Sequence, residues 1–521
     1  MPKEAIHIHF GQAGCQVGSA CWELFCQEHQ VGPDGRRPKL DPGAEGDMAF
    51  ESFFQETPQG QYVPRAVFVD TDPTTRNEIL FKSTHGRLFH PENIMAYKQD
   101  CHNNYFEGRS MASVFKIADD VMDRIRRAAD QCSNLQGMMV YMSFGGGTGS
   151  GIGVEVMHDL RDEFDRKTIV QPLIYPSNHL ANCIVEPYNC VFATHYTREL
   201  ADLTCMMDNQ AVYDMCKKCL KKAQPDFKDI NRLLAQVISA ATTSLRYDAM
   251  LNATLPEIVT NIVPQHGFRY PILSLAPVTN PEKGAAHEHN STQAILTDLF
   301  EERNLLADCG SILKRNRYLA ACVLLRGLER HQKDDKDTKD MLTRRPDLAA
   351  TLMHGSGLRE LEPEEYLAPI QANAASKYLQ HLINPPATHR RPIRFVPWVG
   401  HGGFKVGVVG VPPTIPAGLM ANTRRQGVCI GNTTAVRQLF ARQYAKFCKL
   451  FYHKAYVWQF IDANGEMDCF YEAREGMLEL INMYEDMLRR CEEDENQDAG
   501  EAVCRVEGKT QLPEMQAGAV T

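Results

Sequence analysis

The sequence predicts an α/β fold built on a mostly parallel, doubly wound sheet of Rossmann type, and three observations carry that prediction. Short apolar runs at residues 5–10, 65–69, 138–142 and 169–174 alternate with segments of helical periodicity at 15–29, 111–132 and 152–164, the pattern of strands separated by crossover helices. Each apolar run ends in polar or glycine-rich residues: Gly11-Gln12-Ala13-Gly14, Asp70-Thr71-Asp72, the stretch from Ser143, and Tyr175-Pro176. Residues 143–151 read Ser-Phe-Gly-Gly-Gly-Thr-Gly-Ser-Gly, between one such strand and the helix that follows. In sheets of this kind ligands sit beyond the carboxyl ends of the strands.

The glycine loop is the most informative of these segments. Glycine tolerates φ > 0, so successive backbone N–H groups can turn into one concavity. The helix that follows adds unpaired N–H donors and the positive end of its dipole, a combination suited to a phosphate chain. No lysine follows the last glycine, which excludes the G-x-x-x-x-G-K-[ST] loop, and the spacing is not that of the G-x-G-x-x-G dinucleotide fingerprint. With no lysine in the loop, a metal ion and the backbone are expected to meet the phosphate charge. A tight turn without a ligand is the plain alternative; five glycines within residues 145–151 argue against it.

A chain of 521 residues is long enough for two or three domains. Its net charge of −9 argues against nucleic acid or an anionic membrane as the main partner, because both require a basic face. No run of 18 apolar residues occurs, and Lys3, Glu4 and two early histidines do not suit a signal peptide. Seventeen cysteines without framework spacing suit reduced thiols in the cytoplasm, and Cys216 and Cys219 read as helix-face residues with no second pair to complete a zinc site.

Beyond residue 208 the pattern changes. Residues 209–252 are largely helical, strands follow at 318–326, 393–396 and 404–409, and the last third is helical again, with apolar and aromatic stripes at Leu439, Phe440, Tyr444, Phe447 and Phe451 and a second helix over 468–491. Residues 491–521 read as a disordered acidic tail. Residues 328–391 are rich in charge and poor in large apolar side chains, especially Gln332-Lys-Asp-Asp-Lys-Asp-Thr-Lys-Asp340. They read as a surface insertion, most of it before residue 368.

Three motifs then add up to a family. Met1-x-x-x-Ala5-Ile6-x-Ile8-His9-x-Gly11-Gln12-Ala13-Gly14, the loop at 143–151, and Val185-Glu186-Pro187-Tyr188-Asn189 resemble tubulin. The stretches at 20–29, Pro33-Asp34-Gly35, Leu135-Gln136-Gly137 and 412–418 resemble the alpha subtype. The likeness runs from residue 1 to about 490, interrupted by the insertion. It implies a parallel Rossmann-like GTP-binding domain over 1–208, a mixed α/β intermediate domain over 209–430 and C-terminal helices over 431–490. It further implies GTP and Mg2+ as cofactors, GTPase activity, a beta-tubulin partner, assembly into the microtubule lattice with its associated proteins and motors, and a place in the cytoplasmic cytoskeleton.

Carried over position by position, the resemblance puts Gln12 and Asp72 near the phosphates and magnesium, with Asp72 as metal ligand. Ser143, Gly147 and Thr148 fall at phosphate contacts, and Asn182 and Glu186 beside the sugar. Asn209 and Asn231 would read guanine, and Phe227 would stack on it. An amide presents a donor and an acceptor together, as the guanine edge requires, and carboxylates with water suit Mg2+. Glu257 matches the glutamate that the alpha subunit offers to the GTP of the next subunit. Thr254-Leu-Pro-Glu257 is also a capping box, so a purely structural role stands beside the catalytic one. The chain departs from the family at Asp72, where glutamate is usual, at Asn182, where threonine is usual, and at Asp41, where many alpha chains carry a modified lysine. Its end, Ala-Gly-Ala-Val-Thr521, lacks the usual Glu-Tyr.

Overall fold

The computed structural model describes residues 3–37, 51–177, 180–181, 183–247, 254–280, 291–310, 315–327, 363–383, 393–416, 418 and 420–508, with backbone alone for 363–370, 400–401 and 495–508. The first half alternates as expected: β1 (Glu4–Phe10), α1 (Gly11–Glu28), a small hairpin of β2 (Phe54–Glu56) and β3 (Tyr62–Pro64), β4 (Ala66–Asp70), α2 (Pro73–Asn77) and β5 (Ile94–Ala96). Then come α3 (Tyr105–Val114), α4 (Ile117–Asp130), β6 (Leu135–Ser143), α5 (Gly153–Glu163), β7 (Thr168–Tyr175), α6 (Glu186–Thr197) and β8 (Leu203–Asp208). Four helices follow: α7 (Asn209–Lys218), α8 (Phe227–Ala241), α9 (Thr243–Arg246) and α10 (Leu255–Ile262). The remainder is β9 (Ile272–Ala276), α11 (Thr292–Leu299), β10 (Tyr318–Arg326), α12 (Pro363–Ile383), β11 (Phe404–Val409), β12 (Gln426–Thr433), α13 (Arg437–Tyr452), α14 (Val457–Asp462) and α15 (Met467–Gly508).

The large strands form one sheet in the order β11-β10-β12-β9-β8-β7-β6-β1-β4-β5. From β8 to β5 every pairing is parallel, whereas β12 lies antiparallel between β9 and β10. The two halves meet where Met206 pairs with Ile272, and the N–H groups of Thr204 and Met206 donate to Arg269 O and Pro271 O, each at 2.8 Å. Side chains alternate between two apolar layers: Ile6, Ile8, Met138 and Val140 point to one, Ala5, Met139 and Tyr141 to the other. That period of two is why the strands read as continuous apolar runs: both faces are covered by helices. No helix among the described residues is long and apolar enough to cross a membrane. The described cysteines are free thiols, Cys216 buried and Cys219 half-buried, and burial raises the pKa of both.

Three expectations need correction. The helix expected over 111–132 is two helices. Lys116 takes a left-handed φ of 54° between α3 and α4, and Val114 and Phe115, which read as part of one apolar stripe, are 68% and 51% exposed. The strand expected at 393–396 is a single bridge between Phe395 and Tyr318, because Pro397 opens a 3-10 helix at once. The tail expected to be disordered from 491 is helical as far as Gly508, sustained by good helix formers without an apolar stripe; 509–521 lie outside the described residues. So do Asp41 and most of the insertion, 328–362 and 384–392. Between those two stretches α12 packs on β11, with Ala375 and Leu379 fully buried, so this part of the expected insertion belongs to the core.

Charge also holds the halves together. Glu28, at the end of α1, pairs with Arg246 at 2.6 Å and with Arg326 of β10, and Ser239 of α8 donates to it at 2.8 Å. All three charged side chains are 0–2% exposed. Burial alone would raise the Glu28 pKa, but the two guanidinium groups and the hydrogen bonds outweigh it and hold the carboxyl below its usual range. Its contribution to stability is therefore full above the unfolded pKa and is lost as pH falls through the folded one. Arg246→Ala is expected to cost about 3–5 kcal/mol, the scale for breaking a buried pair. Urea unfolding near neutral pH measures the loss, which shrinks as the pH falls through the carboxylate range.

Candidate nucleotide site

Sheet order places the site. Strands β4 and β5 lie on one side of β1 and β6, β7 and β8 on the other, so the chain direction switches between β1 and β6, where a doubly wound sheet opens its crevice. At the end of β1, Gly11 turns with φ +68°, and a Cβ there would lie 3.2 Å from Gly149 N, so the two turns touch. From β6 the chain passes through residues 144–147 into a π-turn, Thr148–Ile152, and on into α5. The start of α3 presses on this loop. A Cβ on Gly151 would meet Tyr105 O at 2.4 Å, so only glycine fits. Asn189, fully buried on α6, braces the contact: it accepts from Tyr105 N–H at 3.0 Å and donates to Gly145 O at 3.0 Å and Asn103 O at 2.7 Å.

These turns enclose a polar cleft of about 550 Å³, within the range of small-molecule sites. Of the residues expected to touch the nucleotide, Gln12, Asp72, Ser143, Gly147, Thr148 and Glu186 line it. Glu186, at the start of α6, accepts from Cys183 N–H at 3.3 Å. Asn182 lies outside the described residues. Asn209, Phe227 and Asn231 are not part of the lining, yet they stand at the same edge. Asn209 opens α7 directly after β8, behind the capping residue Asp208, whose carboxyl burial pushes up to about 6. The ends of α1 and α8 meet at Glu28 and Ser239, so α8 runs with α1 and brings Phe227, which is 53% exposed, and Asn231 toward the cleft side.

The lining also includes Asp70, Thr71, Lys98, Asp100 and Asn103, none of which the sequence marks as a site residue. The loop itself lacks a lysine, as read from the sequence, but the segment after β5 places Lys98 in the cleft lining, a positive charge that the loop motif alone does not reveal. The available signal was the polar run Lys98-Gln-Asp-Cys-His-Asn103 after a strand, with left-handed turns at His102 and Asn103.

Two carboxylates bear on a metal. Asp72 is exposed in the cleft and spends Oδ1 on capping α2, accepting from Thr74 N–H at 2.8 Å. Asp70 is 5% exposed; its Oδ1 accepts from Thr71 N–H at 2.8 Å, while Oδ2 has no hydrogen-bond partner. Burial raises its pKa overall, opposed by the Thr75 hydroxyl and the Thr71 and Asp72 N–H groups nearby and reinforced by the Asp72 carboxylate. A nearby cation would relieve that unpaired oxygen. No group of three or more His, Cys, Asp or Glu among the described residues is placed to hold a metal alone. This donor set fits Mg2+, which keeps waters and takes phosphate oxygens as its remaining ligands.

Glu257 is elsewhere. It is the third residue of α10, and its N–H donates to Thr254 Oγ1 at 3.2 Å, one half of the capping box. Leu255 N–H donates to Gln136 at the amino end of β6. Seven residues of strand, roughly 23 Å, separate Gln136 from Ser143 and the cleft.

Residues 4–217 match the family model described as Tubulin/FtsZ family, GTPase domain. This segment is similar to a Tubulin/FtsZ GTPase domain. The match supports GTP binding and GTPase activity in general. The match ends just before the close of α7, so it takes in Asn209 and leaves Phe227, Asn231 and Glu257 beyond it.

Asp70→Asn separates the roles of the two carboxylates. Since the folded pKa of Asp70 is raised, its charged form costs stability at neutral pH. The variant without nucleotide is expected to melt no lower than the parent. Its affinity for GTP in Mg2+ should fall about tenfold, the scale of a lost charge-assisted contact. Calorimetry with and without Mg2+ checks both.

Proposed function

We propose that the chain is an alpha-tubulin-like subunit that binds GTP, pairs with a beta-tubulin and adds head to tail to microtubules in the cytoplasm. The observation that carries this is the separation of the cleft from Glu257 by the length of the central sheet. A carboxylate at the opposite pole cannot reach its own nucleotide. In a head-to-tail stack, one subunit's pole meets the next subunit's cleft, and Glu257 there activates the attacking water. At its own site this chain keeps GTP with little turnover.

Within the cleft, the loop N–H groups and Lys98 would hold the phosphates, and Asp70 and Asp72 would hold Mg2+. When bound, Mg2+ neutralises phosphate charge. Asn209 and Asn231 read the guanine edge and Phe227, exposed without nucleotide, stacks on the base. Asp72 is one methylene shorter than the family's glutamate and also caps α2, which puts more of the metal's charge on Asp70.

A second reading is a GTP-binding relative that caps polymer ends. The sequence around α12 supports it: residues 368–375 resemble the start of a family helix that lies at the longitudinal contact between subunits, and the charged stretches 328–362 and 384–391 flank it in the chain. Co-pelleting with beta-tubulin and identification of the released nucleotide decide between them. Incorporation with bound GTP supports the subunit reading. Inhibition at low ratios supports the cap, and ATP or no nucleotide would sink both.

Glu257→Ala is expected to assemble and to slow GTP hydrolysis in the lattice about 10²- to 10⁴-fold, the usual cost of a lost general base. Thr254 Oγ1 still caps the helix in that variant, so melting should change little. Phosphate release per assembled dimer measures the effect, and unchanged release would leave Glu257 a capping residue only.

A further inference from the structure

We infer that Thr71 is a positioning residue of the nucleotide site, its hydroxyl turning that of Thr148 toward a phosphate oxygen. The inference rests on reading the cleft as a GTP site. Thr71 follows β4 directly, lines the cleft and is 3% exposed. Its Oγ1 lies 2.9 Å from Thr148 Oγ1, and Thr148 opens the π-turn of the phosphate loop.

Two hydroxyls in contact share one hydrogen between them, so the second must point elsewhere. The surroundings limit the choice. Thr71 N–H is committed to Asp70 Oδ1 at 2.8 Å. The neighbouring thiol of Cys101 donates to Met111 Sδ at 3.7 Å, and its sulfur lies within reach of both hydroxyls as a weak acceptor, far weaker than an anionic oxygen. An anionic oxygen in the cleft accepts and never donates, so it selects one arrangement: Thr71 O–H donates to Thr148, and Thr148 O–H donates to the phosphate. Each bond in such a chain polarises the next, and a bond to an ionised oxygen is stronger than a neutral one. A valine at 71 keeps the shape and removes the relay.

The test measures GTP affinity by calorimetry on the full chain, stripped of nucleotide, in the parent, Thr71→Val, Thr71→Ser, Thr148→Ala and the Thr71→Val/Thr148→Ala double variant. Thr71→Val is expected to weaken GTP about five- to tenfold, the scale of one ordinary hydrogen bond. Thr71→Ser should restore binding, and Thr71→Val should add no loss where Thr148 is already Ala. Thr71→Ala gives the same reading should valine crowd the floor and impair folding. Binding by Thr71→Val within twofold of the parent overturns the proposal, as does an equal loss in the Thr148→Ala background. Failure of the parent chain itself to bind GTP overturns the reading of the cleft, and this proposal with it.

Discussion

The cleft depends on one close approach, that of the backbone at the start of α3 to the loop after β6. Tyr105 O, Gly108 and Gly151 pack with no room for a Cβ, which fixes the height of the loop above the sheet. Asn189, itself fully buried, then ties both segments to α6 through three hydrogen bonds. Bonds in such a setting are costly to lose, because each orphaned group stays buried. A loop of five glycines would otherwise sample many shapes. Here the entropy is removed by packing, which holds the loop backbone in one shape, as the proposed phosphate site requires.

The rest of the site is arranged by strand ends. Parallel pairing from β8 to β5 aligns the carboxyl ends at one edge, so residues far apart in sequence, such as Gln12, Asp72, Lys98 and Thr148, share one wall. The same alignment sends the other strand ends, and Glu257 with them, to the far pole. Distance between the two groups follows from sheet geometry alone. It places a single-subunit reaction out of reach and makes the partner subunit part of the chemistry under the proposed function.

Much of this was legible in the chain. The strands Tyr318–Arg326 and Phe404–Val409 were read with the bounds the structure has, because both are apolar runs ended by Gly or turn residues. The glycine loop of the cleft was legible because five of the seven residues 145–151 are glycine. Lys98, Asp100 and Asn103 were not, since their role arises only when β5 is placed beside β4. The break at Lys116 was hidden by Val114 and Phe115, whose apolarity mimics a buried stripe although they face solvent. For Glu257, local sequence offered a cap and the resemblance a reaction; the structure displays the cap's Thr254 half, and the far pole leaves room for both.

The ion cluster at Glu28 has a consequence for how the chain can be divided. The best-recognised portion ends at residue 217, which invites excision as a module. Both guanidinium partners of Glu28 lie past that point, at Arg246 and Arg326, as do the strand that covers the outer edge of β8 and the helix α8 that covers α1. A fragment cut there would carry a stranded charge in its interior and a bare strand edge open to other chains. Recognisability and autonomy therefore part company in this protein: the boundary that homology draws is not one along which the molecule can be cut.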